Sequence, residues 1–270
     1  MRRSGRIILI WLGAFGIDPK QFGSAMSSLR EYCQGYRQIR DQLGRWAPIA
    51  LTPYLHERSE NAGTVTGHYF WQDMLVAKRI RLASPARHVD VGSRIDGLIT
   101  HLRVFRDVEV DDVRPLSHAI PGLKFISDDA IALGSQADRS IESVSSLHAI
   151  EHFGLGRYGD PIDANGHVRG LRSLQRVLAP GGRLYLSVPI GAERVEYNGQ
   201  HVLPLPLDVL SELTLESFVA IPSAGLPRQD MSPQDLVGTS GWCGLHEFSR
   251  SQGAFSFGRP LKSCPSGLRK

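Results

Sequence analysis

A chain of 270 residues that is 41 % hydrophobic can bury one full α/β core and still carry extensions. Its formal charge of +4 hides an uneven distribution: residues 1–46 hold eight bases against three acids, residues 250–270 hold five against none, and the remainder holds 18 against 24, a balance of −6. A domain that grips nucleic acid needs a basic face, so that partner is not expected, and three cysteines without CxxC spacing (Cys33, Cys243 and Cys264) exclude a disulfide framework and a cysteine-rich zinc site, which points to a reducing, cytoplasmic compartment and no metal.

The first residues, MRRSGR followed by the apolar run IILIWLGAFGI, imitate a signal peptide. Eleven apolar residues are too few to span a bilayer, and no small-x-small cleavage site follows. A packing helix or a basic surface helix touching an anionic membrane is the expectation. Residues 26–46 predict an Arg-rich amphipathic helix, so residues 1–66 read as a helical, basic extension. A second helix is expected over 67–80, with Phe70, Met74, Ala77 and Ile80 sharing its inner face.

From here to residue 250 the pattern is that of a doubly wound sheet. His88 to Val91 predicts a buried strand that ends in the turn Gly92-Ser93. The run VEV then ends at Asp111 and Asp112. Strand, glycine turn, helix, and an acid closing the next strand is the layout of a nucleotide-binding βαβ unit. The glycine lets backbone approach a ligand, and Asp112 can accept both hydroxyls of a ribose. The GxGxxG fingerprint is missing; Asp90, two residues before Gly92, suggests instead an adenosyl ligand with a cationic amino-acid end.

Leu123 to Ile126 predicts a third strand, after which Asp129-Ala130 can hydrogen-bond the exocyclic amine of an adenine. Ser143 to Leu147 predicts a fourth. Residues 168–178 form an amphipathic helix on Val168, Leu171, Leu174, Val177 and Leu178, stopped by Ala179-Pro180-Gly181-Gly182. The strand RLYLSVPIG follows. Gln200 to Leu215 reads as a strand passing into a helix that opens at Leu207–Leu213, Ala224 to Gly238 as loop, and WCGLHEFSR (242–250) as a late strand on an antiparallel edge. Residues 251–270 have no periodicity and are expected to be a disordered tail.

His148-Ala149-Ile150-Glu151-His152 matches HxxEH, an inverted zinc-protease signature that needs its histidines on one helix face. Here it follows a strand directly and is broken at once by Phe153-Gly154-Leu155-Gly156, so a zinc hydrolase is the least favoured reading. At the carboxyl end of the fourth strand, His148 would lie near a cofactor while Glu151 and His152 face an acceptor. A neutral histidine suits proton removal near pH 7; His152 is the first choice of base and His148 the second. The loop GRYGDPIDANG offers Arg157, Tyr158, Asp160 and Asp163 to a sugar, and Glu193, Arg194, Glu196 and Tyr197 can supply the opposite wall.

The ordered set HVDVGSRIDG, VDDVRPL, FISDDA, SSLHAIEHF and RVLAPGGRLYLSVP resembles class I S-adenosylmethionine-dependent methyltransferases over about residues 85–195. The helix–PGG–strand step is the most specific piece. SLHAIEHFGLGRYGDPID with SVPIGAERVEYN looks closer still to an uncharacterised bacterial methyltransferase-like family associated with surface-polysaccharide genes. The resemblance implies a Rossmann-like α/β sheet flanked by helices, S-adenosylmethionine as cofactor, and a sugar or cell-surface glycan precursor as acceptor. It implies that Asp90, Gly92, Ser93, Gly97, Asp112, Asp129, Ala130 and His148 hold the cofactor. One departure stands out: the superfamily loop is D-x-G-x-G-x-G, and Arg94 and Asp96 replace its later glycines. Another small-molecule O- or N-methyltransferase, or a non-catalytic scaffold that kept the fold, are the alternatives. The acceptor atom and the oligomeric state are open.

Overall fold

The computed structural model describes residues 19–43, 53, 55, 65–196, 199–202 and 207–252. They fall in two compact units divided between Thr64 and Val65. In the first unit, α1 (Pro19–Leu43) starts seven residues earlier than the sequence pattern placed it. Phe22, Met26, Leu29 and Ile39 are exposed on this helix. The apolar run 7–17 and the tail from 253 onward lie outside the described residues. Among the described residues no helix is long and apolar enough to cross a membrane.

The second unit is a seven-stranded sheet in the order β3-β2-β1-β4-β5-β9-β8. Its strands are β1 (His88–Val91), β2 (Val108–Asp112), β3 (Leu123–Ser127), β4 (Ile141–Leu147), β5 (Leu178–Ile190), β8 (Leu213–Pro222) and β9 (Trp242–Arg250). β6 (Arg194–Glu196) and β7 (Gln200–Val202) form a separate small hairpin. The first five sheet strands pair in parallel. β9 runs antiparallel between β5 and β8. The chain winds outward from β1 through β2 to β3, then returns to lay β4 on the other side of β1. That reversal opens a crevice at the carboxyl ends of β1 and β4. The α/β class and the Rossmann-like order are as the sequence predicts; 242–250 is an antiparallel strand as expected, but it lies inside the sheet, with β8 at the edge.

Successive side chains of a strand face opposite ways, so β5 feeds two cores. Leu184, Leu186 and Val188 pack with Leu171, Leu174 and Val177 of α4 (Gly166–Val177) on one face. Tyr185 packs on the other with Val76, Ala77 and Ile80 of α2 (His68–Ala83), and with Leu98, Ile99 and Leu102. The latter three belong to a π-type turn, Ile95–Ile99, that runs into the short helix α3 (Thr100–Arg103).

Two expectations are corrected. The buried face of α2 is Gln72, Asp73, Val76, Ala77 and Ile80, while Phe70 and Met74 are exposed. The helix is turned so that a polar residue meets a polar partner inside: Ser187 Oγ donates to Gln72 Oε1 at 2.6 Å. Residues 207–213 do not open a helix. Leu207–Leu210 makes a single 3₁₀ turn, and Leu213–Pro222 is strand β8. Its first residues are half-exposed at the sheet edge, with a register shift between Leu215 and Ser217, so no clean alternation marks it.

Candidate functional site

A cavity of about 570 Å³ opens at the β1/β4 crevice, within the range of small-molecule sites. One wall is built from strand ends. Gly92 follows β1 with φ +74°, and a Cβ on it would come within 3.0 Å of the Ala149 Cβ. Only glycine holds that turn and lets the two loops pass. Asp112, at the end of β2, and Asp129 and Ala130, after β3, line the same wall. Asp129 Oδ1 accepts from the Ile131 amide at 2.9 Å, which fixes its loop.

Arg114, which the sequence pattern did not single out, ties this wall together. Its backbone amide and Nε donate to Asp112 Oδ1 at 2.8 and 2.9 Å. Its Nη2 donates to Asp112 Oδ2 at 2.5 Å and to the Gly92 carbonyl at 3.0 Å. Its guanidinium lies 4.9 Å from the Tyr158 ring centre. One cation thus joins the β1 turn, the end of β2 and the 156–163 loop.

Asp90, Ser93 and Gly97 are placed differently from the expectation. None lines the cavity. Asp90 is fully buried. It accepts from the Ser93 amide at 3.0 Å and Oγ at 2.7 Å, and from Ser145 Oγ. Burial pushes its pKa up to about 7, against the pull of those bonds. Ser93 Oγ in turn accepts from the Leu147 amide at 3.0 Å. Both side chains therefore brace the β1 turn against β4 from behind. Gly97 packs on Asp73, where a Cβ would crowd the carboxylate. Arg94 lines the cavity, but its guanidinium is paired with Asp96 at 2.6 Å and lies over Tyr69.

The opposite wall carries the histidines. His148 has φ +50°, an uncommon conformation for a residue with a Cβ. Its Nδ1 is 2.6 Å from Glu151 Oε1. Burial works against a charge on His148; Cys243 and Glu151 outweigh it and raise its pKa well above the ordinary value. Glu151 is buried and lies outside the cavity lining, so it serves His148 and does not face an acceptor. His152 Nδ1 lies 2.6 Å from the Gly199 carbonyl, to which it must donate. In a neutral ring that leaves Nε2 as a bare acceptor. Burial lowers the His152 pKa, favouring this neutral form. Ile150–His152 is one 3₁₀ turn, so His148 and His152 do not share one face of a helix, as the HxxEH arrangement requires. The zinc-hydrolase arrangement is therefore absent among the described residues.

Arg157, Tyr158 and Asp160 line the cavity beside His152, and Asp163 does not. Asp160 also organises its loop, accepting from the amides of Gly154 at 2.9 Å and Tyr158 at 3.2 Å. Asp163 pairs with Arg169 at 2.8 Å and accepts from the Asn165 amide. Arg194, Gln200, Ser240, Gly241 and Trp242 close the far side. Glu193 and Glu196 lie outside the lining, and Tyr197 lies outside the described residues. His68 and Tyr69, from the first turn of α2, complete the rim.

Residues 130–206 match the family described as "Caenorhabditis protein of unknown function, DUF268". No curated protein matches the chain. Among solved structures, it is similar to the N-methyltransferase NodS from Bradyrhizobium japonicum WM9 in complex with S-adenosyl-l-homocysteine, at 15 % identity and a TM-score of 0.46, over 80 % of this chain and 97 % of that one. It is also similar to the 1,6-didemethyltoxoflavin-N1-methyltransferase of Burkholderia thailandensis with bound 1,6-didemethyltoxoflavin and S-adenosylhomocysteine, at 11 % identity and a TM-score of 0.47, over 87 % and 91 % of the two chains.

Proposed function

We propose that this protein transfers a methyl group from S-adenosylmethionine to a hydroxyl of a small polar acceptor, of the sugar or glycan-precursor class. The observation that carries the reading is one cavity with two kinds of wall. On one side stand the Gly92 turn, the Asp112 carboxylate and the Asp129-Ala130 loop, each at a strand end beside the sheet's reversal point. On the other stands His152, neutral and with Nε2 free. The open turn at Gly92 gives room for the amino-acid end of the cofactor, and Asp112 and Asp129 offer acceptors for its ribose hydroxyls and adenine amine. When bound, the cofactor supplies a methyl on a sulfonium, whose carbon–sulfur bond breaks as the new oxygen–carbon bond forms and leaves its electron pair on sulfur.

The chain's own residues have two tasks. Arg157, Tyr158 and Asp160 hold the acceptor in line, and alignment supplies much of the rate in such a transfer. His152 Nε2 takes the proton that the acceptor hydroxyl must lose. The polar lining of the 156–160 loop supports a sugar-like acceptor over an apolar one.

A second reading, a non-catalytic partner that kept the fold, is favoured by one observation: Arg114 already occupies both oxygens of Asp112. Calorimetric titration with S-adenosylmethionine and S-adenosylhomocysteine separates the two. The methyltransferase reading expects binding of both, and a loss of about 1.5–3 kcal/mol in Asp112→Ala if charge-assisted bonds to a ribose are removed. No binding of either would leave the scaffold reading standing.

A further inference from the structure

We propose that His68, His148 and Cys243 form a three-ligand zinc site whose fourth position opens into the cavity. The three residues come from the first turn of α2, the turn after β4 and the second residue of β9. Their donor atoms all lie within 4.8 Å of one another. Zinc bound at about 2.0–2.3 Å needs them somewhat closer, a movement of roughly an ångström per side chain.

Several features single this trio out. Nε2 of His68 and Nε2 of His148 are both buried without a hydrogen-bond partner. A buried polar atom left bare is costly, and two turned into one place call for a shared partner. Each ring is already oriented from behind, His148 by Glu151 through Nδ1 and His68 by a backbone hydrogen bond to Gly241. A carboxylate or carbonyl behind a histidine is how metal-ligating imidazoles are fixed. The two rings are stacked, 9° from parallel, with centres 5.5 Å apart. Cys243 is wholly buried; its sulfur lies 3.9 Å from Gln72 Oε1 and also faces His148. That oxygen is already taken by Ser187 at 2.6 Å.

The donor set selects the ion. One sulfur and two imidazoles suit zinc and repel magnesium or calcium, which require oxygen. Three protein ligands with an open fourth place is the arrangement of a working zinc, and His68, His148, Gly241 and Trp242 all line the cavity. Resting on the methyltransferase reading, the open position takes the acceptor's oxygen and lowers its pKa, so that His152 removes the proton more readily. On binding, the Cys243 thiol releases its proton to solvent and the sulfur's electron pair goes to the metal.

The test uses full-length, untagged protein stripped with a chelator and titrated with zinc and with cobalt(II). The site predicts one zinc per chain. It also predicts a cobalt adduct with a thiolate-to-metal charge-transfer band in the near ultraviolet and the intense visible bands of tetrahedral coordination. Cys243→Ser should abolish the charge-transfer band and weaken zinc by on the order of 100-fold, and Glu151→Gln should weaken it by roughly 10–100-fold with the band retained. Circular dichroism and S-adenosylhomocysteine titration on the same samples report folding and the cofactor reading separately. Cofactor binding by folded wild-type protein that takes up no zinc and gives no cobalt band overturns the metal site alone. Stoichiometric zinc without cofactor binding keeps the site and removes the methyltransferase reading. Zinc that survives unchanged in Cys243→Ser also overturns the proposal.

Discussion

Asp90 should make the protein less stable as pH rises, and Asp90→Asn should remove that dependence. Its carboxyl is fully buried among Ser93 and Ser145, with a pKa near 7 set first by burial. In the unfolded chain the same group titrates near 3.8. Between these values the folded state holds one more proton than the unfolded state. Stability is therefore complete below the unfolded value and is lost as pH climbs toward 7, at about 1.4 kcal/mol per pH unit. Over the whole window this amounts to about 4 kcal/mol, a large share of a typical domain stability of about 5–15 kcal/mol. Asparagine has the same shape and no charge to bury. Its oxygen can accept from the Ser93 amide, and its NH₂ can donate to the two serine hydroxyls, which are free to rotate. Urea unfolding of wild type and Asp90→Asn between pH 5 and pH 7.5 should show the difference moving toward the mutant by roughly 2–3 kcal/mol. Other titrating groups cancel in that difference. A difference that stays flat across the range, or moves toward aspartate, would refute the reasoning and show that the serine bonds keep the carboxylate charged.

Two further outcomes follow from the site. His152→Ala should bind S-adenosylhomocysteine as wild type does, while methyl transfer to a panel of nucleotide sugars and envelope saccharides falls by roughly 10²–10⁴; transfer at the wild-type rate would dismiss it as the base. Gly154→Ala should cost at least about 3 kcal/mol in urea unfolding, because φ is +79° and the new methyl would strike the Asp163 carbonyl and crowd Gly166 at the start of α4. An unchanged midpoint would mean the loop has another way to close.

Local chemistry made much of the sheet readable. HVDV before a glycine marks β1 residue for residue, and the run WCGLHEFSR, 242–250, marks β9. His148, His152, Arg157, Tyr158 and Asp160 all line the crevice, because strand ends on that side of a parallel sheet converge there. What could not be read depends on which way a side chain turns. Asp90 and Ser93 sit in the right segment, yet point behind the turn, because Ser145 and the Leu147 amide on the neighbouring strand offer better partners. Nothing in the sequence singles out Arg114, because its role needs Gly92 and Tyr158 from other segments. His68 and Cys243 are distant in sequence and carry no spacing motif; only the docking of α2 and β9 onto the same sheet end brings them to His148.

The order of synthesis adds a demand of its own. Among the described residues β9 is the last strand of the sheet to be made, yet it is not an edge strand: it fills the place between β5 and β8. Until Trp242–Arg250 leaves the ribosome, the outer side of β5 carries a long row of bare amides and carbonyls on a strand with three leucines, a valine and an isoleucine. An unsatisfied apolar edge of that kind recruits strands from other chains. A nascent chain must therefore either keep β5 shielded or wait for the β8–β9 hairpin. A premature stop ahead of Trp242 would release a product prone to clump, and its harm would reach beyond the loss of one activity.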